Sequence, residues 1–172
     1  MVRHNFGNIP LILVLVLITL SCGGKTTTPQ AKIGARVPEL ELADLDGTTV
    51  KLSDYFGSVI LLEFWATWCP DCREVLPHIQ TLHDKAKGAG YSVVTVSVDA
   101  ESETVRTFMK ENSYTFQVLF GGTQIREQFA VKAIPTLYII DKSAVIRASL
   151  VEYGEKGSEE VDRFVRQLID EQ

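Results

Sequence analysis

Cysteine is scarce in this chain. There are three among 172 residues, Cys22, Cys69 and Cys72, and three histidines, His4, His78 and His83. A structural zinc site needs four such ligands, and a disulfide-stapled scaffold needs several pairs. His78 and His83 fall five apart on one predicted helix and so face differently, which argues against a metal site. Basic residues are outnumbered, 17 against 22 acidic, for a net charge of −5. No nucleic-acid partner is implied. Cofactor loops are lacking too. Gly23-Gly24-Lys25-Thr26 has no glycine at position 19 to open a phosphate loop, and Gly88-Ala89-Gly90 precedes a strand instead of following one. No bound cofactor or metal is expected. The longest apolar run, Ile9 to Leu20, is short for a bilayer span. The remainder, 45% hydrophobic and 23% charged, is enough for one globular domain with an ordinary core.

The apolar run follows Arg3 and ends at Ser21-Cys22-Gly23-Gly24, the layout of an export signal. A small residue followed by cysteine at that point resembles the bacterial lipoprotein signal, in which the cysteine is lipidated and becomes the new N-terminus. The usual pattern has leucine three places before the cysteine; here that place holds Thr19, and Leu20 sits one step late. Simple cleavage or a retained anchor are the alternatives, and all three put the domain outside the cytoplasm. Residues 1–21 are expected to be the signal, 22–35 a flexible tether, and 36–172 the folded domain.

Within the domain, alternating residues on both sides of Asp46-Gly47 predict a hairpin. A short helical piece follows, with Ser53 as its cap. Residues 58–66, SVILLEFWA, are apolar on both faces and predict a central strand. From Pro70 to Lys87 the apolar spacing turns helical, and Gly88 can end the helix. A strand (91–99), a helix (102–112, capped by Ser102), a strand (116–120) and a short helix (123–131) follow. A hairpin (135–141 and 144–151) and an amphipathic helix (158–172) close the chain. Such alternation argues a layered α/β domain.

Cys69 and Cys72 stand two residues apart where the central strand hands over to the helix, with Cys69 at the N-cap and Pro70 at the first helical position. The pair reads as half a metal site, a small structural disulfide, or a reversible dithiol. No second pair of ligands supports the first. A four-residue loop gains only about 2 kcal/mol from a disulfide, which weakens the second. Placement favours the third, because a thiolate at a helix N-terminus is stabilised by free N–H groups and the helix dipole. Cys69 is then the exposed nucleophile and Cys72 the more buried resolving thiol. Glu63 interrupts the buried strand; a carboxyl there has its pKa raised, unless it reaches solvent at the strand's end.

FWATWCPDC, residues 64–72, resembles the thioredoxin active-site stretch, and Ile134-Pro135-Thr136 matches that family's cis-proline loop. Residues 37–57, VPELELADLDGTTVKLSDYFG, resemble the N-terminal hairpin of the TlpA/ResA-like, membrane-tethered thioredoxins. The resemblance covers roughly residues 36–170. It implies a thioredoxin-like fold: a central mixed sheet flanked by helices, with an added N-terminal β-hairpin. It implies a thiol–disulfide oxidoreductase acting on disulfide-bearing client proteins, in many members as an extracytoplasmic reductant, for example in cytochrome c maturation. Pro70 and Asp71 between the cysteines of an exported domain point to the reducing direction, with a membrane electron donor, and a monomer is expected. Carried onto this chain, the resemblance makes Cys69 and Cys72 the catalytic dithiol and Glu63 the acid that moves a proton to or from Cys72. Ile134 and Pro135 pair with the client backbone across a cis bond. Trp68 shields Cys69 and offers the client an apolar contact, Trp65 belongs to the core, and Pro77 is the helix-kinking proline. Cys22 is the lipidation site. Two other functions remain open. A thiol peroxidase of the peroxiredoxin class carries a threonine three before its cysteine and a proline four earlier, where this chain has Ala66 and Leu62. A non-catalytic lipoprotein binding module needs no reactive pair.

Overall fold

The computed structural model describes Met1 and residues 31–171. The expected signal, Cys22 and most of the expected tether lie outside the described residues. Strand β3, Val59–Trp65, is the hub of the fold, and every one of its residues is buried. Its run of β-branched and large apolar side chains suits a strand with both faces covered. Each such side chain contributes roughly 1.5–3 kcal/mol on burial. Strand β4, Tyr91–Ser97, pairs parallel with β3, and β5, Gln117–Phe120, pairs parallel with β4. On the other side β6, Thr136–Ile140, runs antiparallel to β3, and β7, Ile146–Val151, antiparallel to β6. The sheet order is therefore β5-β4-β3-β6-β7, a five-stranded mixed sheet with β3 in the middle.

The parallel pairs need crossovers, which helices supply. Helix α1, Pro70–Ala86, joins β3 to β4, and α2, Ser102–Glu111, joins β4 to β5. Gly88, at φ +76°, follows the end of α1 in the left-handed conformation that favours glycine. Helix α3, Ile125–Gln128, is shorter than expected, and Ala130 turns the chain away at φ +54°. Helix α4, Glu155–Asp170, begins three residues before the expected Ser158 and packs against α1 and β3. The N-terminal hairpin is β1, Glu41–Ala43, with β2, Thr49–Lys51, and Gly47 takes φ +84° in its turn.

Three local expectations need correction. Ser53 lies inside the 3-10 turn Leu52–Tyr55; the Asp54 carboxylate accepts from the Lys51 N–H at 3.1 Å and does the capping. Ser102 is the first residue of α2, and Glu101 stands at its N-cap without a side-chain bond. Residues 31–35 of the expected tether belong to the domain. Ala31 is buried, and the Gly34 N–H donates to the Ile146 carbonyl at 2.7 Å. Among the described residues no helix is long and apolar enough to cross a membrane.

Candidate active site

The end of β3 delivers the chain into a tight loop and then α1. Thr67, two residues before Cys69, is clamped: its N–H donates to both oxygens of the buried Asp99 carboxylate, at 3.0 and 3.3 Å. Its hydroxyl donates to Asp99 Oδ1 at 2.6 Å, and the Ser97 hydroxyl donates to Oδ2 at 2.8 Å. The Thr67 carbonyl accepts from Arg73 Nε at 2.7 Å, and the Arg73 guanidinium lies over the Phe108 ring, 5.5 Å from its centroid. Charged acceptors make such bonds stronger than neutral ones. The loop before Cys69 is thus held from the end of β4 and from α1.

Cys69 is the N-cap of α1 and Pro70 its first residue. Cys69 and Cys72 are joined as a disulfide, with Cα atoms 5.3 Å apart. The Cys72 N–H points at Cys69 Sγ, 3.1 Å away. One of the unpaired first-turn donors of the helix therefore addresses the sulfur that would carry charge in the reduced state. Cys72 is fully buried. Cys69, expected to be exposed, is buried too, with 5% of its surface accessible, because the Ile134 loop packs around the turn. Trp68 is 60% exposed beside it, whereas Trp65 is fully buried and donates from Nε1 to Thr95 Oγ1 at 3.1 Å. Asp71 lies exposed in the first turn of α1.

The Ile134–Pro135 bond is cis. The Ile134 carbonyl oxygen lies 3.6 Å from Cys69 Sγ, which brings β6's entry to the sulfur across 65 residues of sequence. The loop is tied down on its far side, where the Glu152 N–H donates to the Pro135 carbonyl at 2.8 Å.

Glu63 is completely buried on β3 and does not reach solvent. Its Oε2 accepts from the Tyr153 hydroxyl at 2.9 Å, and its Oε1 has no partner among the described residues. Burial raises its pKa from the ordinary 4.5 to about 8, against a lowering by the Tyr153 bond. The Tyr153 hydroxyl is pushed well above its ordinary range, first by burial and then by the Glu63 charge.

The structure brings Cys69, Cys72, Trp68, Ile134 and Pro135 together, and sets Glu63 on the strand that leads to them. Sequence reasoning missed Thr67, Asp99, Arg73 and Tyr153. Asp99 had a signal, a carboxylate directly after a buried strand, which needs donors. Tyr153 had none, because its partner lies 90 residues away. His78 pairs with Asp162 at 3.2 Å, and no three His, Cys, Asp or Glu side chains gather as metal ligands among the described residues. The arrangement is able to make and break a disulfide with a second thiol or disulfide that reaches Cys69.

The family model described as "AhpC/TSA family" matches residues 33–149. Thiol-disulfide oxidoreductase ResA of Oceanobacillus iheyensis is 31% identical over 153 residues, covering 84% of this chain and 80% of its own. Among solved structures, a protein of Chlorobium tepidum described as a thiol:disulfide interchange protein DsbE superposes with a TM-score of 0.76 at 30% identity, covering 81% of this chain and 99% of its own. An exposed lipoprotein thioredoxin of Streptococcus pneumoniae superposes at 0.67 with 28% identity, covering 76% and 99%.

Proposed function

We propose, for a chain that belongs to the AhpC/TSA family and is a thiol–disulfide oxidoreductase, the role of a reductase of protein disulfides outside the cytoplasm. The observation that carries this reading is Cys69 at the N-cap of α1, with the Cys72 N–H 3.1 Å from its sulfur and the Ile134 carbonyl alongside.

In the forward direction the Cys69 thiolate attacks one sulfur of a client disulfide. A mixed disulfide forms, and the other client sulfur leaves as a thiolate that takes up a proton. The Cys72 thiol then gives its proton to the Glu63 carboxylate and attacks Cys69 Sγ. The second client thiol is released, and Cys69–Cys72 is left as the disulfide. Two electrons have passed to the client, and a membrane donor restores the dithiol. The free edge of the Ile134 backbone and the exposed Trp68 ring would receive the client strand and an apolar side chain.

Asp71 disfavours a thiolate on Cys69, and Pro70 offers it no N–H. Both weaken the reduced form and make the dithiol a better reductant. The span from thioredoxin to a strong oxidant is ~150 mV, about 7 kcal/mol for two electrons, so these two residues supply the sign and not the whole range. Maturation of c-type cytochromes is the kind of client pathway that the resemblance implies. Lipidation at Cys22 fits the apolar run before it and the lipoprotein character of the pneumococcal neighbour. The peroxidase reading is weakened by Ala66 and Leu62, which are buried apolar residues and supply no hydroxyl there.

Equilibration against glutathione buffers tests the direction. The midpoint is expected near the thioredoxin end of the scale, and a midpoint near the strong-oxidant end overturns the reductase. A Cys72→Ser variant is expected to leave clients covalently held on Cys69. If nothing is retained when it is presented with oxidised apocytochrome c or other disulfide-bearing exported proteins, protein disulfides are not its substrate.

A further inference from the structure

The buried acid on β3 is not held by its own strand or by the strands beside it. Its register partners, Thr95 on β4 and Leu137 on β6, are uncharged. Cys72 lies on α1, and His78 of α1 stands 3.2 Å from Asp162 of α4 without a hydrogen bond between them. Among the described residues the one side chain bonded to the carboxyl is Tyr153, from the junction of β7 and α4.

That junction is built for the contact. Glu152 takes φ +48°, a left-handed backbone uncommon outside glycine, and its N–H is anchored on the Pro135 carbonyl. Two successive residues thus touch both halves of the site, Glu152 at the cis-proline loop and Tyr153 at the acid. Gly157 sits in the first turns of α4, where glycine costs roughly 0.5–1 kcal/mol relative to alanine. A Cβ there would lie 2.6 Å from Tyr153 Cβ and 3.1 Å from its ring. The helix gives up a good helix former at this place, and the tyrosine passes through the space left open.

We propose that Tyr153 is a positioning residue for Glu63: its hydroxyl fixes Oε2, so that the unpartnered Oε1 is the oxygen that takes the Cys72 proton. The proposal rests on the reading of Glu63 as the proton acceptor of Cys72. A donor on a buried carboxyl favours the ionised form, and a bond to a charged group is strong enough to shift its titration by about one pH unit. Tyr153 thereby sets the pH at which the inner thiol can be deprotonated.

The oxidised protein offers a direct test, because neither cysteine titrates in it. Carbon-13 NMR of the Glu63 carboxyl is expected to show its midpoint rising by about one pH unit in Tyr153→Phe. Gly157→Ala, whose Cβ would lie 2.6 Å from Tyr153 Cβ and so force the tyrosine to shift, is expected to move it the same way and serves if Tyr153→Phe does not fold. An unchanged midpoint in the folded variants overturns the proposal. Stopped-flow resolution of a mixed disulfide with glutathione provides the functional arm. Tyr153→Phe is expected to shift the rising limb upward by the same amount, about tenfold slower at neutral pH, and to add nothing in a Glu63→Gln background. If Glu63→Gln leaves the profile unchanged while the NMR midpoint still moves, the proton role of Glu63 fails and with it the role of Oε1, although Tyr153 still sets the acid's ionisation.

Discussion

Glu63 is a carboxyl with no solvent, one hydroxyl donor and one empty oxygen. Its presence in the most buried strand has a measurable cost whose sign follows from its raised pKa. The unfolded chain releases the proton near the ordinary 4.5, and the folded protein holds it to about 8 because burial penalises the charge. The stabilisation from this group is therefore complete below the unfolded value and is lost as pH climbs through about 8. At 1.36 kcal/mol per unit the window amounts to about 5 kcal/mol. Urea unfolding of the oxidised protein is expected to show stability falling between pH 5 and pH 8.5, and Glu63→Gln is expected to flatten that slope. A wild-type profile already flat across the window would mean that the acid is neutralised in some other way. The same burial thus sets both the slope of stability with pH and the pH at which the ionised carboxylate becomes available.

At the scale of elements, the site exists because the ends of β3, β4 and β6 converge on the start of α1. Asp99, just past β4, collects three donor groups from Thr67 and Ser97. Asp99→Ala leaves them buried without an acceptor, each at a cost of roughly 1–3 kcal/mol, so a loss of about 3 kcal/mol in chemical denaturation is expected. The loosened loop should also let reduced Cys69 drift from the α1 N-terminus, and its alkylation rate is expected to fall toward that of free cysteine. Wild-type values for both would remove the clamp from the account. Much of this convergence was legible beforehand. The all-apolar stretch around Glu63, the change of period at Pro70 and the Asp46-Gly47 turn are local signals, and each element formed within a few residues of its expected bounds. The caps at Ser53 and Ser102 were misplaced because neighbouring residues competed for the same N–H groups or left them uncapped. Asp99 and Tyr153 act through partners 32 and 90 residues away, and no window along the chain contains such a pair.

At the scale of the molecule, the segment from Ala31 to Lys51 works as a belt. It starts against the β6–β7 turn, where Gly34, Ala35 and Val37 bond to Ile146 and Ala144. It ends at the opposite edge of the sheet, where Asp44 bridges Leu119 of β5. Between these points the Glu39 carbonyl accepts from Gln128 Nε2 at 2.6 Å, and just past Asp44 the Arg106 side chain of α2 bonds to Asp46 Oδ1 at 3.2 Å and to the Leu45 carbonyl. The belt covers the open side of β5, an edge that would otherwise present unpaired backbone groups to other chains. Ala31, Val37 and Leu40 are its buried anchors. No belt residue bonds to Cys69, Cys72, Glu63, Tyr153 or Asp99 among the described residues, so stability and redox chemistry should separate here. Leu40→Ala is expected to cost about 3 kcal/mol in urea unfolding, as truncation of a buried leucine does. The glutathione midpoint is expected to stay within about 30 mV, less than a tenfold change in the exchange constant. A larger movement would show that the belt reaches the dithiol through the sheet, and the added hairpin would then be a tuning element as well as an edge cover.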